Sequence, residues 1–288
     1  MISIIICSRL QKISADLSAN IKNTIGCDYE LIIIDNSENK YSIFEAYNLG
    51  MEASKGNFIC FIHDDIFIQT NNWGKITEEI FLTNPQAGLL GIAGGEIKTK
   101  MPSAWWDGGK NALRLVQHYK NKPKELWYQG FDNFDTVEVA AIDGVFMVMR
   151  RDERIIFDER LKGFHNYDIF LSLNHHILNK KVLVTRKILL EHFSEGSLNK
   201  SWYKSTSLFH KLYNKYLPIA VNVEYKNEHL KKTEFKFGTN FIAKLIEQKL
   251  YWEAIYWWFE IFKLKPKSKY HFRFWKSILI NFLNLKNG

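Results

Sequence analysis

Two carboxylates and an imidazole, His63-Asp64-Asp65, follow directly on the apolar run Asn57-Phe-Ile-Cys-Phe-Ile62. Charges at the end of a buried strand are costly to desolvate unless a cation or hydrogen-bond donors satisfy them. An oxygen-rich site with one imidazole suits Mg²⁺ or Mn²⁺, ions that bridge readily to a diphosphate. A helix N-cap or a solvated turn uses the same residue types. Asp35 ends a second apolar run, Glu30-Leu-Ile-Ile-Ile-Asp35, where it can accept hydrogen bonds from a base or ribose or cap its own turn. Asp168 opens a helix-like stretch after Phe164-His165-Asn166-Tyr167. A carboxylate there can take the proton of a hydroxyl if apolar neighbours raise its pKa, and it can equally complement a helix dipole. His192, in the stretch His192-Phe-Ser-Glu-Gly-Ser197, is a further metal or phosphate ligand candidate. His175-His176 is adjacent on a predicted helix, so its rings point to different sides and the pair reads as surface.

The elements that must position these groups alternate in type. Ser3–Cys7, Glu30–Asp35, Asn57–Ile62 and Gly88–Ile92 read as buried strands, with helical stretches over Ser14–Thr24, Tyr41–Ser54 and Trp73–Leu82 between and after them. Such alternation implies an α/β fold with a mostly parallel sheet and helices on both faces. Ligands of such sheets bind beyond the carboxyl ends of the strands, where Asp35 and His63–Asp65 both fall. Residues 97–136 show no clear period and read as an insertion or long active-site loop. Val137–Ile142 is a further strand that turns at Asp143-Gly144 into Val145–Met149. Tyr167–Leu178 is a helix, and Val182–Val184 reads as the final strand.

The charge is unevenly placed. The chain carries +8 in all, but residues 201–288 hold 16 Lys and Arg against 6 Asp and Glu, leaving −2 for residues 1–200. The same 88 residues hold 21 of the 43 aromatics. The expected division is thus a catalytic domain over 1–200 and a basic, aromatic-rich helical appendage over 201–288, with amphipathic helices at Ile242–Lys249, Trp252–Lys263 and Phe272–Leu285. Such an appendage suits an anionic partner, namely a membrane surface, an acidic glycan or nucleic acid, and its aromatic helices read either as a subdomain packed on the catalytic domain or as interfacial helices on anionic lipid.

Other classes are excluded by what is missing. There is no GxxxxGK[ST] loop, no GxGxxG after the first strand and no GxSxG elbow. No nucleic-acid-binding motif accompanies the basic charge. No run of 18 apolar residues is present, and the first apolar run is strand-length and reads as core rather than as a signal peptide. Three cysteines without a close pair argue against a zinc cluster and favour a reducing cytoplasm.

Taken in order, four stretches resemble the inverting GT-A glycosyltransferases (family 2-like), and most closely the bacterial StrF-type subgroup. They are Ile4-Ile-Ile-Cys-Ser8, Leu31-Ile-Ile-Ile-Asp35-Asn-Ser37, Ala46-Tyr-Asn-Leu-Gly50 leading through Gly56 to His63-Asp64-Asp65, and Asp143-Gly144 with Phe157-Asp-Glu159 and Gly163-Phe-His165-x-Tyr167-Asp168. The resemblance implies a Rossmann-like GT-A domain that moves a sugar from a nucleotide sugar, a UDP-sugar being favoured, to a glycan or lipid-linked acceptor. It implies that Ser8, Asp35, Asp64 and Asp65 contact the nucleotide sugar and that Asp143 and Gly144 line the site. Asp65 binds the metal in this reading, with His63 and His192 as further candidate ligands, and Asp168 is the base. Trp105, Trp106 and Tyr167 fall on the acceptor side. The sequence departs from the family at His63, where a DXD-like element has Asp, at Tyr167, where many relatives carry Glu, and at Phe170, where relatives often have a further Asp. A non-catalytic nucleotide-sugar or glycan-binding module and a nucleotidyltransferase are the alternatives. The latter usually needs a Gly-rich loop where this chain has Ser8-Arg9-Leu10-Gln11.

Overall fold

The computed structural model describes residues 1–221 and 227–284, with side chains through 281. The first unit is β1 (Ile2–Ser8), α1 (Ala15–Thr24), β2 (Tyr29–Asp35), α2 (Ile43–Ala53) and β3 (Phe58–Ile62). Ser14 caps α1 by accepting from Leu17 N, and Ser42 forms a capping box with Glu45 at the start of α2. β1 lies between β2 and β3 and runs parallel to both. It is buried on both faces: Ile2, Ile4 and Ile6 enter one core and Ile5 the other. That explains a continuous apolar run rather than an alternating one. The register sets Ser8 opposite Asp35 at the carboxyl ends.

After β4 (Ile66–Ile68) and α3 (Trp73–Thr83) come β5 (Ala87–Gly91), β6 (Ala93–Gly95), β7 (Ile97–Lys98), β8 (Asn111–Gln117) and β9 (Glu125–Gln129). Then follow β10 (Thr136–Glu138), β11 (Ala141–Ile142), β12 (Phe146–Arg150), α4 (Tyr167–Ile177), β13 (Lys181–Thr185) and β14 (Leu190–His192). The main sheet has seven strands in the order β10-β13-β5-β12-β3-β1-β2. Its strands are parallel except β12 and β10. Helices α1 and α3 cover one face through Leu17, Ile21, Trp73 and Phe81, and α2 and α4 cover the other through Phe44, Tyr47, Phe170 and Leu173. A second sheet, β11-β6-β8-β14-β4 with β9 added on β8, stands over the carboxyl ends.

The C-terminal part is α5 (Lys200–Tyr213), the short strand β15 (Ile219–Ala220), α6 (Asn227–Glu247), α7 (Tyr251–Leu264) and α8 (Tyr270–Asn284). Helices α6 to α8 build a core of their own around Ile242, Leu245, Trp257, Trp258 and Phe274, which also takes in Met101 and Tyr203. Several contacts tie the C-terminal part to the sheet region. Phe209 of α5 enters the α2/α4 core, β15 pairs with β7, and the Glu234 carboxylate accepts from the backbone N–H of Lys100 and Met101 at 2.5 and 2.7 Å.

Several expectations are corrected. Residues 97–136 are not a structureless loop but hold β7, β8, β9 and the start of β10. The run Val137–Ile142 is split between β10, in the main sheet, and β11, in the second. Val182–Val184 is not the last strand, because β14 follows it, and β4 and α5 carried no sequence signal strong enough to place them. His175 is buried at 1% exposure, not surface; burial holds its imidazole neutral, with the pKa pushed down to about 4. Leu285, the expected end of the last helix, lies outside the described residues.

Candidate active site

The carboxyl ends of β1, β2 and β3 open on a cavity of about 500 Å³ lined by Ser8, Arg9, Asn36, Ser37, His63, Asp64 and Asp65 among others. A cleft of about 910 Å³ adjoins it, and His63, Phe164 and Tyr167 line both. The placement follows from strand pairing. β4 leaves the His63–Asp65 turn at once and pairs with β14, setting His192 opposite Ile66, and the Phe193 N–H donates to the Asp65 carbonyl at 3.0 Å. β14 also pairs with β8, which sets Gln117 beside His192.

His63, Asp65 and His192 therefore meet although 129 residues separate the two histidines. Asp65 Oδ1 lies 3.8 Å from His63 Nδ1 and 3.7 Å from His192 Nε2, and those two nitrogens are 3.4 Å apart. The centre of that triangle is about 2.1 Å from each corner, the distance at which N and O donors hold a small divalent cation. The outer contacts fit as well. His192 Nδ1 donates to Gln117 Oε1 at 3.1 Å, and His63 Nε2 pairs with the Tyr167 hydroxyl at 2.6 Å, so the nitrogen facing Asp65 can be bare in both rings. Burial pushes the Asp65 carboxyl up, but the Ser194 hydroxyl, both histidines and Arg9 outweigh it and hold the group below its ordinary pKa. Burial and the neighbouring His63 lower the His192 pKa, which keeps the ring neutral and able to ligate.

Arg9 is a site residue that the sequence analysis missed. Its guanidinium grips Asp64 Oδ1 at 2.6 Å and reaches Asp65 Oδ2 at 3.0 Å, and its backbone N–H donates to Asp64 Oδ2 at 2.9 Å. Asp64 is thus turned onto Arg9. Asp35 is turned onto Ser37, accepting from its N–H and hydroxyl at 3.0 and 2.7 Å; those bonds lower the Asp35 pKa, and Asn36 and Ser37 form the cavity wall there. Ser8 is fully buried, and its hydroxyl accepts from Leu10 N.

Asp168 sits in the cleft on the first turn of α4, held there by Asn166, which takes the left-handed conformation at φ 66°. Burial, helped by Asp143, pushes its pKa up to about 7, against the pull of the Ile169 N–H and Lys98. Asp143 accepts from Trp105 Nε1 at 2.7 Å and from Val145 N at 2.8 Å. Gly144 allows a close approach, because a Cβ there would lie 2.3 Å from the Tyr167 hydroxyl oxygen. Trp105 is mostly buried and Trp106 is exposed; both line the cleft with Trp127 and Trp202. The loop carrying the first two is shaped by the buried Lys98, whose ammonium donates to Ser103 O and Oγ and whose pKa burial lowers to about 7. Phe170 packs edge-on to Phe44 and stacks on Phe157 in the core, away from the cleft. Gln117, Trp127 and Trp202 carried no individual signal, since only strand pairing and the α5 packing bring them here.

The family profile described as "Glycosyltransferase like family" matches residues 3–224. Among solved structures, S. aureus TarS 1–349 in complex with UDP-GlcNAc is similar at 12% identity and TM-score 0.52, over 91% of this chain and 81% of that one. GalNAc-T7 with UDP, GalNAc and Mn²⁺ is similar at 8% identity and TM-score 0.50, over 75% of this chain and 49% of that one, so the chain spans about half its length. No curated protein matches the sequence. With a family match over more than three quarters of its length and the strand order described above, the chain belongs to the glycosyltransferase-like family, as an enzyme of the GT-A fold.

Proposed function

We propose that the chain transfers a sugar, with inversion, from a nucleoside diphosphate sugar in the 500 Å³ cavity to a hydroxyl of a glycan or lipid-linked acceptor in the 910 Å³ cleft. UDP is the favoured nucleotide, by analogy with the two similar structures. The observation that carries this reading is Asp168: a carboxyl with its pKa near 7, in a cleft that meets the His63–Asp65–His192 cluster at His63 and Tyr167. A base tuned to neutrality takes the acceptor proton as the acceptor oxygen bonds to the anomeric carbon. The bond from that carbon to the phosphate oxygen breaks, and the nucleoside diphosphate leaves with the electron pair. Direct displacement on the opposite face inverts the centre and needs no enzyme nucleophile. Arg9, with its side chain 68% exposed and its guanidinium beside Asp64 and Asp65, is placed to meet phosphate oxygens. His63, Asp65 and His192 would hold Mn²⁺ or Mg²⁺, whose chemistry there is neutralisation of charge on a diphosphate.

The basic helical region 201–288 is read as an appendage that rests on an anionic membrane surface. Helix α7 buries Ala254, Trp257, Trp258 and Ile261 but presents Trp252 (85% exposed), Tyr256 and Phe259 outward. Phe272 (77% exposed), Trp275 and Leu279 do the same on α8; Lys263 is in the last turn of α7, and Lys265, Lys267 and Lys269 lie between the two helices. Among the described residues no helix is long and apolar enough to cross a membrane. A cytoplasmic, peripheral location agrees with this reading.

The test is nucleoside diphosphate release from UDP-, GDP- and dTDP-sugars with Mn²⁺ or EDTA, using wild type, Asp65→Ala and Asp168→Asn. One donor hydrolysed slowly, with metal, and not by Asp65→Ala is the expected result. A protein that binds no nucleotide sugar under either condition overturns the reading. Binding without turnover in the presence of acceptors would favour a non-catalytic module.

A further inference from the structure

The large cleft has a composition at odds with the rest of the chain. The protein carries +8, yet among the described residues no Lys or Arg lines this cavity of about 910 Å³. Its charged lining is two carboxylates, Asp143 and Asp168, and its broad surfaces are aromatic: Trp105, Trp106, Trp127 and Trp202. The smaller cavity beside it does hold a cation, Arg9. The two chambers are thus sorted by charge, one able to meet phosphate and the other not.

The sorting is built into strand β8. Successive strand residues face opposite sides. Asn111, Leu113, Leu115 and Gln117 line the cleft, whereas Arg114 lines a separate pocket on the other side of the strand, with Arg186 and Lys187. Arg114 is held there by its bond to the Arg186 carbonyl, and Arg186 by Asp135 and the Tyr128 hydroxyl at 2.8 and 2.7 Å. The cations on the far face of β8 are therefore fixed with their heads turned away from the cleft. Asp143 keeps both oxygens on Trp105 and Val145, so its charge is not offset by a basic side chain of the cleft.

We infer that the acceptor bound in this cleft is an uncharged glycan, its sugar faces stacked on the tryptophans, and that anionic sugars are excluded from the positions beside the reacting hydroxyl. This rests on the transferase reading above and narrows its acceptor class. A carboxylate or phosphate on the acceptor would enter a partly desolvated space next to Asp143 and Asp168 with no Lys or Arg among the described lining residues to pair with, a strongly unfavourable arrangement. A neutral sugar offers hydroxyls to Asn111 and Gln129 and an apolar face to the rings.

The test uses the full chain with UDP and Mn²⁺ present. Tryptophan fluorescence is titrated with neutral hexasaccharides of glucose, galactose and mannose and with hexasaccharides of galacturonic and glucuronic acid. A neutral hexasaccharide is expected to quench with an affinity at least tenfold above every uronic acid chain, and Trp106→Ala to weaken it at least tenfold. Gln129→Lys, which adds a cation to the cleft wall, is expected to narrow the neutral-over-anionic preference at least tenfold. Equal or tighter binding of the uronic acid chains, or no response to any neutral one, overturns the inference. Donor hydrolysis is measured alongside: if it is intact, only the acceptor assignment has failed, and if nucleotide sugars do not bind either, the transferase reading has failed with it.

Discussion

The Tyr167 hydroxyl lies 2.6 Å from His63 Nε2, joining the turn after β3 to the residue that immediately precedes Asp168. One short contact therefore couples the imidazole that faces Asp65 to the helix turn that carries Asp168, the proposed base. The close approach of Gly144 is part of the same arrangement, since any Cβ there collides with that hydroxyl.

Removing the hydroxyl should loosen the metal site without disturbing the fold. Tyr167→Phe keeps the ring that packs on Tyr47 and deletes only the partner of His63. Outer-shell partners of this kind are worth roughly 10–100-fold in metal affinity. Calorimetric titration with Mn²⁺ should show a loss in that range for Tyr167→Phe and for Gln117→Ala, and a larger one for His192→Ala. Unchanged affinity in all three would place the cation elsewhere.

Asp168→Asn should lower transfer by roughly two to four orders of magnitude, the usual worth of a general base. Binding of the nucleotide sugar should be unaffected, because the other cavity is untouched. A variant with near wild-type turnover would remove Asp168 from the mechanism.

The rate should rise with pH through about 7, since Asp168 must lose its proton to act and its pKa sits there. Stability has the opposite sign. The folded chain binds a proton that the unfolded chain releases near the ordinary carboxylate value, so this group favours folding at low pH and that contribution is lost as pH rises to about 7. Thermal melts should find Asp168→Asn more stable than wild type above pH 7, the gap closing as pH falls towards 4.

Membrane association can be checked with vesicles of phosphatidylcholine alone or with about 30 mol% phosphatidylserine. Wild type should sediment with the anionic vesicles only, and less so as salt is raised. The double variant Trp252→Ala, Phe272→Ala should lose most of that binding while keeping donor hydrolysis. Equal sedimentation with neutral vesicles would point to a different role for the exposed rings.

How far the sequence revealed this arrangement depended on whether local pattern or pairing decided the outcome. β1 and β3 are buried on both faces, and β2, a half-buried edge strand, keeps the same apolar run; all three end in polar residues at their carboxyl ends, which is why Ser8, Asp35 and His63–Asp65 were legible. β9 is exposed along its length and β8 alternates for only seven residues between Gly- and Lys-rich flanks, so neither rose above a loop in appearance. Gln117 and Arg9 acquire their roles through contacts 75 and 55 residues away, and no spacing rule reaches that far. His175 was misread because helix adjacency constrains direction, not depth, and its ring fills the space beside Gly88.

Because side chains in β8 alternate with a period of two, its register is also a selectivity setting. Insertion of a single residue ahead of Asn111 would slide Arg114 to the inward side and carry Leu113 and Leu115 outward, converting a cation-free chamber into one with a guanidinium in a single genetic step. The length of the 106–110 turn, which joins the tryptophan loop to this strand, is then a place where the charge of the cleft can be reset, and the same slide would carry Gln117 off His192.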